Sequence, residues 1–222
     1  NKALIYNSRV DSTHVLGLAI NLCNEPPKMW INASTATIYR HSENKLMCEE
    51  LGQIGDDFSM NIAKSWESSF FGIVNPKTKK SVIRTSIVLG NEGGAFVPLK
   101  RLAMLGMGGK QGSGYQKVSW IHEHDFARVI AFIIAHQLEG KINVTAPQPI
   151  TNHSFMRALR RSIGIPFGLA QPKWLLKLGA KIIQTESELI LKSRNVIPKR
   201  LMDLGFQFQF PTINSALNNL LS

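Results

Sequence analysis

The stretch Met29 to Tyr39, Met-Trp-Ile-Asn-Ala-Ser-Thr-Ala-Thr-Ile-Tyr, decides the fold. It follows Pro26-Pro27, opens apolar and closes on small hydroxyl residues. A buried parallel strand reads this way, apolar on both faces. In open α/β sheets ligands sit outside the carboxyl ends of the strands, so Ser34, Thr35 and Tyr39 are expected to point into a crevice. Taken alone, the commoner reading is a strand followed by an ordinary Ser/Thr-rich turn. The flanking sequence shifts that balance.

Upstream, Asp11 reads as a helix N-cap, with Val15, Leu18, Ala19 and Leu22 as the apolar stripe behind it. Downstream, Arg40 to Asp57 is a polar loop over the strand ends, and Phe58, Ile62, Trp66 and Phe70 mark a second helix. Ser81 to Leu89 is β-branched and reads as another buried strand, ending at Gly90-Asn91-Glu92-Gly93-Gly94. Helix, strand, helix, strand predicts a doubly wound parallel sheet. After Gly94 the pattern changes to a short helix over Phe96–Leu105, a glycine-rich stretch from Gly106 to Gly114, and a short strand over Tyr115–Ile121. Asp125 is expected to cap a helix over Phe126–His136, and Thr151 or Asn152 another that runs through Ile163. Lys141–Thr145 between them reads as a strand. Helical patterns follow at Trp174–Ile183 and Glu186–Leu191, then a short helix opened by Pro198 and ended by Gly205. Phe206, Phe208 and Phe210 alternate with glutamines as a half-buried strand, and Thr212 caps a last helix. The expected class is α/β: a partial Rossmann-type doubly wound parallel sheet with a smaller α+β C-terminal substrate lobe. The expected division is residues 1–94, 95–165 and 166–222.

The chain has 222 residues, 44% of them apolar and 18% charged, enough for a sizeable core. No apolar run approaches the roughly 18 residues of a membrane span. The two cysteines, Cys23 and Cys48, form neither a metal-ligand spacing nor a disulfide framework, which fits a reducing cytoplasm. The formal charge of +11 admits nucleic acid, an anionic membrane or an anionic cofactor. The basic residues are scattered and not interleaved with aromatics, which disfavours nucleic acid. A phosphate-bearing cofactor accounts for the charge equally well.

An ordered set of short motifs spans nearly the whole chain. It runs through Ser8-Arg9-Val10-Asp11-Ser12-Thr13, Ala33-Ser34-Thr35-Ala36 with Tyr39, and Phe58 with Trp66-Glu67. It continues with Arg84, Val88-Leu89-Gly90, Gly93-Gly94-Ala95, Gly108-Gly109 and Gly112-Ser113-Gly114. Ser119-Trp120-Ile121-His122 with Asp125, Asn143 with Ala146-Pro147, and Pro198-Lys199-Arg200-Leu201 with Gly205-Phe206 complete it. In these residues the chain resembles the short-chain dehydrogenase/reductase superfamily. Within it, the match is to an extended, atypical, epimerase-like subgroup often labelled "cell division inhibitor", which ends in a C-terminal domain of unknown function.

The resemblance implies an NADP- or NAD-dependent oxidoreductase or epimerase-like protein acting on a small-molecule substrate, with the basic charge favouring NADP. It implies Ser34 as the group orienting the reacting oxygen, and a backbone passage of Arg84, Thr85, Ser86 and Leu89 past the nicotinamide. Two departures stand beside it. The superfamily's Gly-x-x-Gly-x-x-Gly turn on the first strand, which cradles the cofactor pyrophosphate on a helix N-terminus, does not occur here. The chain is therefore expected to be the latter part of a longer protein. Its sheet edge would then be covered by the preceding segment or by a second copy in a homo-oligomer. The superfamily's Tyr-x-x-x-Lys dyad is also missing. Counted back from Glu67, its positions hold Ser59 and Ala63, and Lys64 lies about 100° further round the helix. Tyr39 is then the only nearby phenol that can stand in as the acid. The alternative is a non-catalytic nucleotide-binding or scaffold protein that has lost the dyad. His122 reads as a structural histidine beside a helix start or as a group polarising a substrate carbonyl. Arg9 reads as a phosphate contact or a partner of Glu49 or Glu50.

Overall fold

The computed structural model describes residues 2–174, 176 and 191–222. The predicted helices over Trp174–Ile183 and Glu186–Leu191 lie mostly outside them. Three parallel strands form the central sheet, β1 (Met29–Thr35), β2 (Lys79–Thr85) and β6 (Gly140–Val144), in the order β1-β2-β6. The helices α1 (Lys2–Leu22) and α2 (Phe58–Gly72) cover one face. There Trp30, Phe70 and Val82 pack together with Ile20 and Ile73. On the other face Ile83, Ile142 and Val144 pack against Val129 and Ile133 of α4 (Glu123–Ala135) and Leu201 of α6 (Lys199–Asp203). Helices on both faces of a parallel sheet make this the doubly wound α/β class.

The second strand is shorter than its β-branched run predicts. At Ser86 the chain runs past the ends of β1 and β6, and β3 (Ile87–Leu89) pairs instead with β5 (Trp120–His122). β4 (Lys117–Val118) pairs antiparallel with β7 (Ile150–Thr151), so the one strand predicted over Tyr115–Ile121 is shared between two sheets. Around them lie α3 (Phe96–Leu102), α5 (Asn152–Ser162) and α7 (Ile213–Leu221). Trp120, Phe155, Met156, Leu159, Leu217 and Leu220 form their common core. Thr151 caps α5 and Thr212 caps α7, as the sequence predicts.

Five local expectations are corrected. Asp11 is an exposed residue in the middle of α1, not its cap, because nothing breaks the helix between Lys2 and Leu22. The face that α1 buries is Thr13 and Gly17, flanked by Arg9, Val10 and Ile20. Gly17 lies so close to Ile73 and Trp30 that a Cβ there would meet Ile73 Cδ1 at 2.6 Å. Val15, Leu18 and Leu22 face outward. Asp125 does not cap α4 either: His122 does, its Nδ1 accepting from His124 N at 3.0 Å. Asp125 is fully buried one turn in, and its carboxylate accepts from Gln209 N at 2.9 Å and Phe210 N at 2.8 Å. That is why Phe206–Phe210 forms no strand. Its phenylalanines do turn inward and its glutamines outward, but a side-chain carboxylate takes two of its amides. Finally, Arg9 meets neither glutamate; its guanidinium lies 5.4 Å from the Trp66 ring centre and bonds Ile5 O.

Removing the Asp125 carboxylate leaves buried amides unpaired. Asp125→Ala is expected to lower stability by about 3 kcal/mol, a drop of roughly 6–12 °C in melting temperature. Asp11→Ala, on an exposed helix surface, stays within about 0.5 kcal/mol. Thermal unfolding of both variants checks the two assignments; comparable losses contradict them.

Candidate functional site

The parallel register places Ser34, Arg84 and Asn143 side by side across β1, β2 and β6. All three are buried. A charge in the middle of a sheet needs a partner, and α2 supplies it in Glu67. The Arg84 fork binds both carboxylate oxygens, Nε to Oε1 at 2.8 Å and Nη2 to Oε2 at 2.7 Å. Two parallel charge-assisted bonds fix the guanidinium plane. Ser34 Oγ donates to Glu67 Oε1 at 2.7 Å. The remaining Arg84 amine, Nη1, donates to the Tyr39 hydroxyl at 2.8 Å, and that hydroxyl donates to Asn143 Oδ1 at 2.9 Å. The backbone amide of Asn143 donates to Glu49 Oε1 at 2.9 Å, and its side chain to Ile197 O at 3.0 Å. One connected network thus joins three strands, α2, the 40–57 loop and the C-terminal segment.

Burial sets its electrostatics. It opposes the Arg84 charge, but Glu67 and the Tyr39 oxygen outweigh it and hold the guanidinium above its ordinary range. Burial raises the Tyr39 phenol above its usual 10.0, with the Arg84 charge only partly offsetting it. Glu49 is also raised by burial, offset in part by the Asn143 amide.

Strand alternation sorts the hydroxyls that the sequence groups together. Ser34 faces inward to Glu67, and Tyr39 is fully enclosed with its hydroxyl engaged on both sides, so neither points into an open crevice. Thr35, at the carboxyl end of β1, is half-buried and lies opposite Thr85. Its Oγ1 accepts from Thr37 N at 3.1 Å and is 3.0 Å from Thr37 Oγ1. One bond between two hydroxyls uses one proton and leaves the other O–H available. Thr85 and Ser86 stay half-buried at the same edge, with Ser86 Oγ donating to Val144 O at 3.3 Å. The side chains of Arg84 and Leu89 are buried.

The dyad positions sit on α2 as counted. Ser59 Oγ donates to Asp57 Oδ1 at 2.9 Å, Ala63 is buried beside Tyr39, and Lys64 is drawn outward to Asp56 at 2.7 Å. Asp57 caps α2 through Met60 N and pairs with Lys192. Burial opposes the Asp57 charge, but Lys192, the Met60 amide and the Ser59 hydroxyl hold its carboxyl below the ordinary range. His122 is wholly buried, stacked 3.9 Å from Phe210, and held below the usual imidazole range by burial and by His124. This is the structural histidine of the two readings. No cluster of metal ligands exists among the described residues, and no described helix is long and apolar enough to cross a membrane.

Comparison with known proteins extends these observations. The chain is 30% identical over 220 residues to the epimerase family protein SDR39U1 of Mus musculus, covering 98% of this chain and 74% of that one. It is 32% identical over 222 residues to an epimerase family protein of Staphylococcus aureus, covering 100% and 73%. The chain belongs to the epimerase family. Residues 171–220 match a domain of unknown function, DUF1731. The crystal structure of human epimerase family protein SDR39U1 (isoform 2) with NADPH is 28% identical, with a TM-score of 0.90, and covers all of this chain and 75% of that one. A nucleoside-diphosphate sugar epimerase from Corynebacterium glutamicum is 27% identical with a TM-score of 0.80, covering 99% and 43%.

The sequence missed Glu67 as the partner of Arg84, the anchoring role of Asn143, and the Asp57–Lys192 pair. An arginine inside a β-branched run was the available signal for the first. The buried phenol gives a direct check. With its folded pKa raised, Tyr39 contributes stability that is present below pH 10.0 and lost as pH rises through the higher folded value. Tyr39→Phe should remove the last-ionising step from the ultraviolet titration of the folded protein; loss of an early step contradicts this arrangement.

Proposed function

We propose that this family member binds NADP, with NAD as the weaker alternative, and supports hydride transfer at an oxygen-bearing carbon of a small molecule. The observation that carries the reading is the match in fold and sequence, over the whole chain, to a human relative whose structure contains NADPH. The residues present fit the nicotinamide end of such a cofactor. Half-buried hydroxyls of Thr35, Thr37, Thr85 and Ser86 gather at the carboxyl edge, and an exposed glycine-containing turn follows at Asn91–Gly94. The Gly-x-x-Gly-x-x-Gly spacing at Gly106, Gly109 and Gly112 follows a helix, not a strand, so it does not form the strand-to-helix turn that cradles a pyrophosphate.

When bound, the cofactor supplies the hydride. The chain's own contribution is positioning. The backbone of Thr85 and Ser86 would line the nicotinamide side, and Thr35, with the Thr37 hydroxyl donating to it, would turn its own O–H to the reacting oxygen. Ser34 and Tyr39, assigned catalytic roles from the sequence, act as positioning residues that lock β1 and β2 through Glu67 and Arg84. The same reading places the protein in the cytoplasm.

A second reading, a nucleotide-binding or scaffold protein without turnover, draws on one observation: Ser59 and Ala63 stand where the superfamily dyad would be. Titrating NADPH and NADH into the intact protein, followed by nicotinamide fluorescence, tests the cofactor binding first. Micromolar NADPH binding is expected; no binding of either nucleotide contradicts the oxidoreductase reading and leaves the scaffold reading in front. Oxidation of NADPH across a carbonyl panel then separates them. Thr35→Val is expected to lower kcat at least tenfold, or about 1.4 kcal/mol, while NADPH affinity stays within about twofold. Tyr39→Phe lowers the melting temperature and leaves kcat within about threefold. The reverse ranking returns the acid role to Tyr39.

A further inference from the structure

Helix α5 turns Phe155, Met156 and Leu159 into the core and leaves Arg157 and Arg161, one turn apart, exposed on its outer side. A concave cavity of about 450 Å³ opens there, walled by Arg157, Arg160, Arg161, Gly164, Ile165 and Pro166. A second depression of about 390 Å³ shares Arg157 and Arg161 and adds Ser154 and Asn214. Among the described residues, no acidic side chain lines either one.

Arginines in the last turn of a helix often serve its free carbonyls. Here that role is filled by the backbone. Gly164, with φ of +73°, turns the chain so that Gly164 N donates to Arg161 O at 3.2 Å and Ile165 N to Arg160 O at 2.9 Å. Arg160 itself is held by Gly108 O at 2.8 Å, and its Nε has no partner among the described residues. Among the described residues, the guanidiniums of Arg157 and Arg161 make neither a hydrogen bond nor an ion pair. Three guanidiniums around one concave surface, unneeded by the helix, form a site for a tetrahedral oxyanion, which their planar forks bind in bidentate fashion.

We propose that this surface of α5 binds a small phosphate-bearing molecule. The phosphate lies over Arg157 and Arg161, and the organic part rests on Ile165 and Pro166 or reaches toward Ser154 and Asn214. Three arginines around a pocket, rather than a track along the surface, favour a small molecule over a nucleic acid. None of the β1 and β2 edge residues lines either depression.

Calorimetric titration of sodium pyrophosphate into the intact protein tests this. One saturable site per chain is expected. Arg157→Gln/Arg161→Gln weakens it at least tenfold, with melting temperature and NADPH affinity unchanged. Lys77→Gln/Lys79→Gln removes equal charge elsewhere and leaves it within about twofold. Equal weakening by both double variants means diffuse charge and overturns the proposal. So does displacement of pyrophosphate by NADPH, which assigns it to the cofactor site, or equal competition by sulfate at matched ionic strength. A short single-stranded oligonucleotide that outcompetes pyrophosphate at the same arginines overturns the small-molecule assignment.

Discussion

The bidentate pair of Arg84 and Glu67 is the constraint on which the rest of this structure rests. An arginine in the central strand of a three-stranded sheet is costly to desolvate, and a single missing partner leaves a buried charge. Glu67 therefore fixes the rotation of α2 over the sheet, because only one helix face can bring its carboxylate to β2. Ser34 gives the carboxylate a third hydrogen bond, and Tyr39 takes the third arm of the guanidinium. The hydroxyl pattern at the end of β1 follows. With Ser34 turned inward, the period of two leaves Thr35 at the open edge.

The C-terminal part of the chain is tied into the same frame. Residues 193–197 thread between the 40–57 loop and β4. Arg194 N donates to Lys117 O and Ile197 N to Met47 O, while Val196 N is taken by Ser119 Oγ. Asn195 Nδ2 reaches Lys45 O at 3.1 Å. Further on, Asp125 holds the amides of Gln209 and Phe210. The stretch matching the domain of unknown function is therefore fastened to both halves of the chain by buried polar contacts.

The doubly wound sheet was legible because its strands are β-branched and its helices periodic, and both signals are local. Capping at Thr151 and Thr212 was legible for the same reason. The failures came where a side chain acts at long range. Asp125 precedes an apolar helix and so looks like a cap, yet its partners lie 84 and 85 residues away. The apolar residues of α1 suggested the wrong buried face, since a small glycine and a threonine make the close contact there. Phe206–Phe210 has strand alternation without a strand to pair with. At the site, Ser34 and Tyr39 were named from residue type and position, but hydroxyl direction depends on Glu67 and Arg84, which only the register brings together.

The geometry supplies a reason why Thr35, and not Ser34, is left at the open edge of the sheet. That depends on the buried network acting as one unit. A double-mutant cycle on Glu67→Gln and Arg84→Met, read by chemical unfolding of the intact protein, tests that most directly. The account predicts that either single change costs about 3–5 kcal/mol. It also predicts a double variant less destabilised than the sum by at least about 2 kcal/mol. Single effects that add within about 0.5 kcal/mol would show that the two side chains do not depend on each other, and would contradict the account.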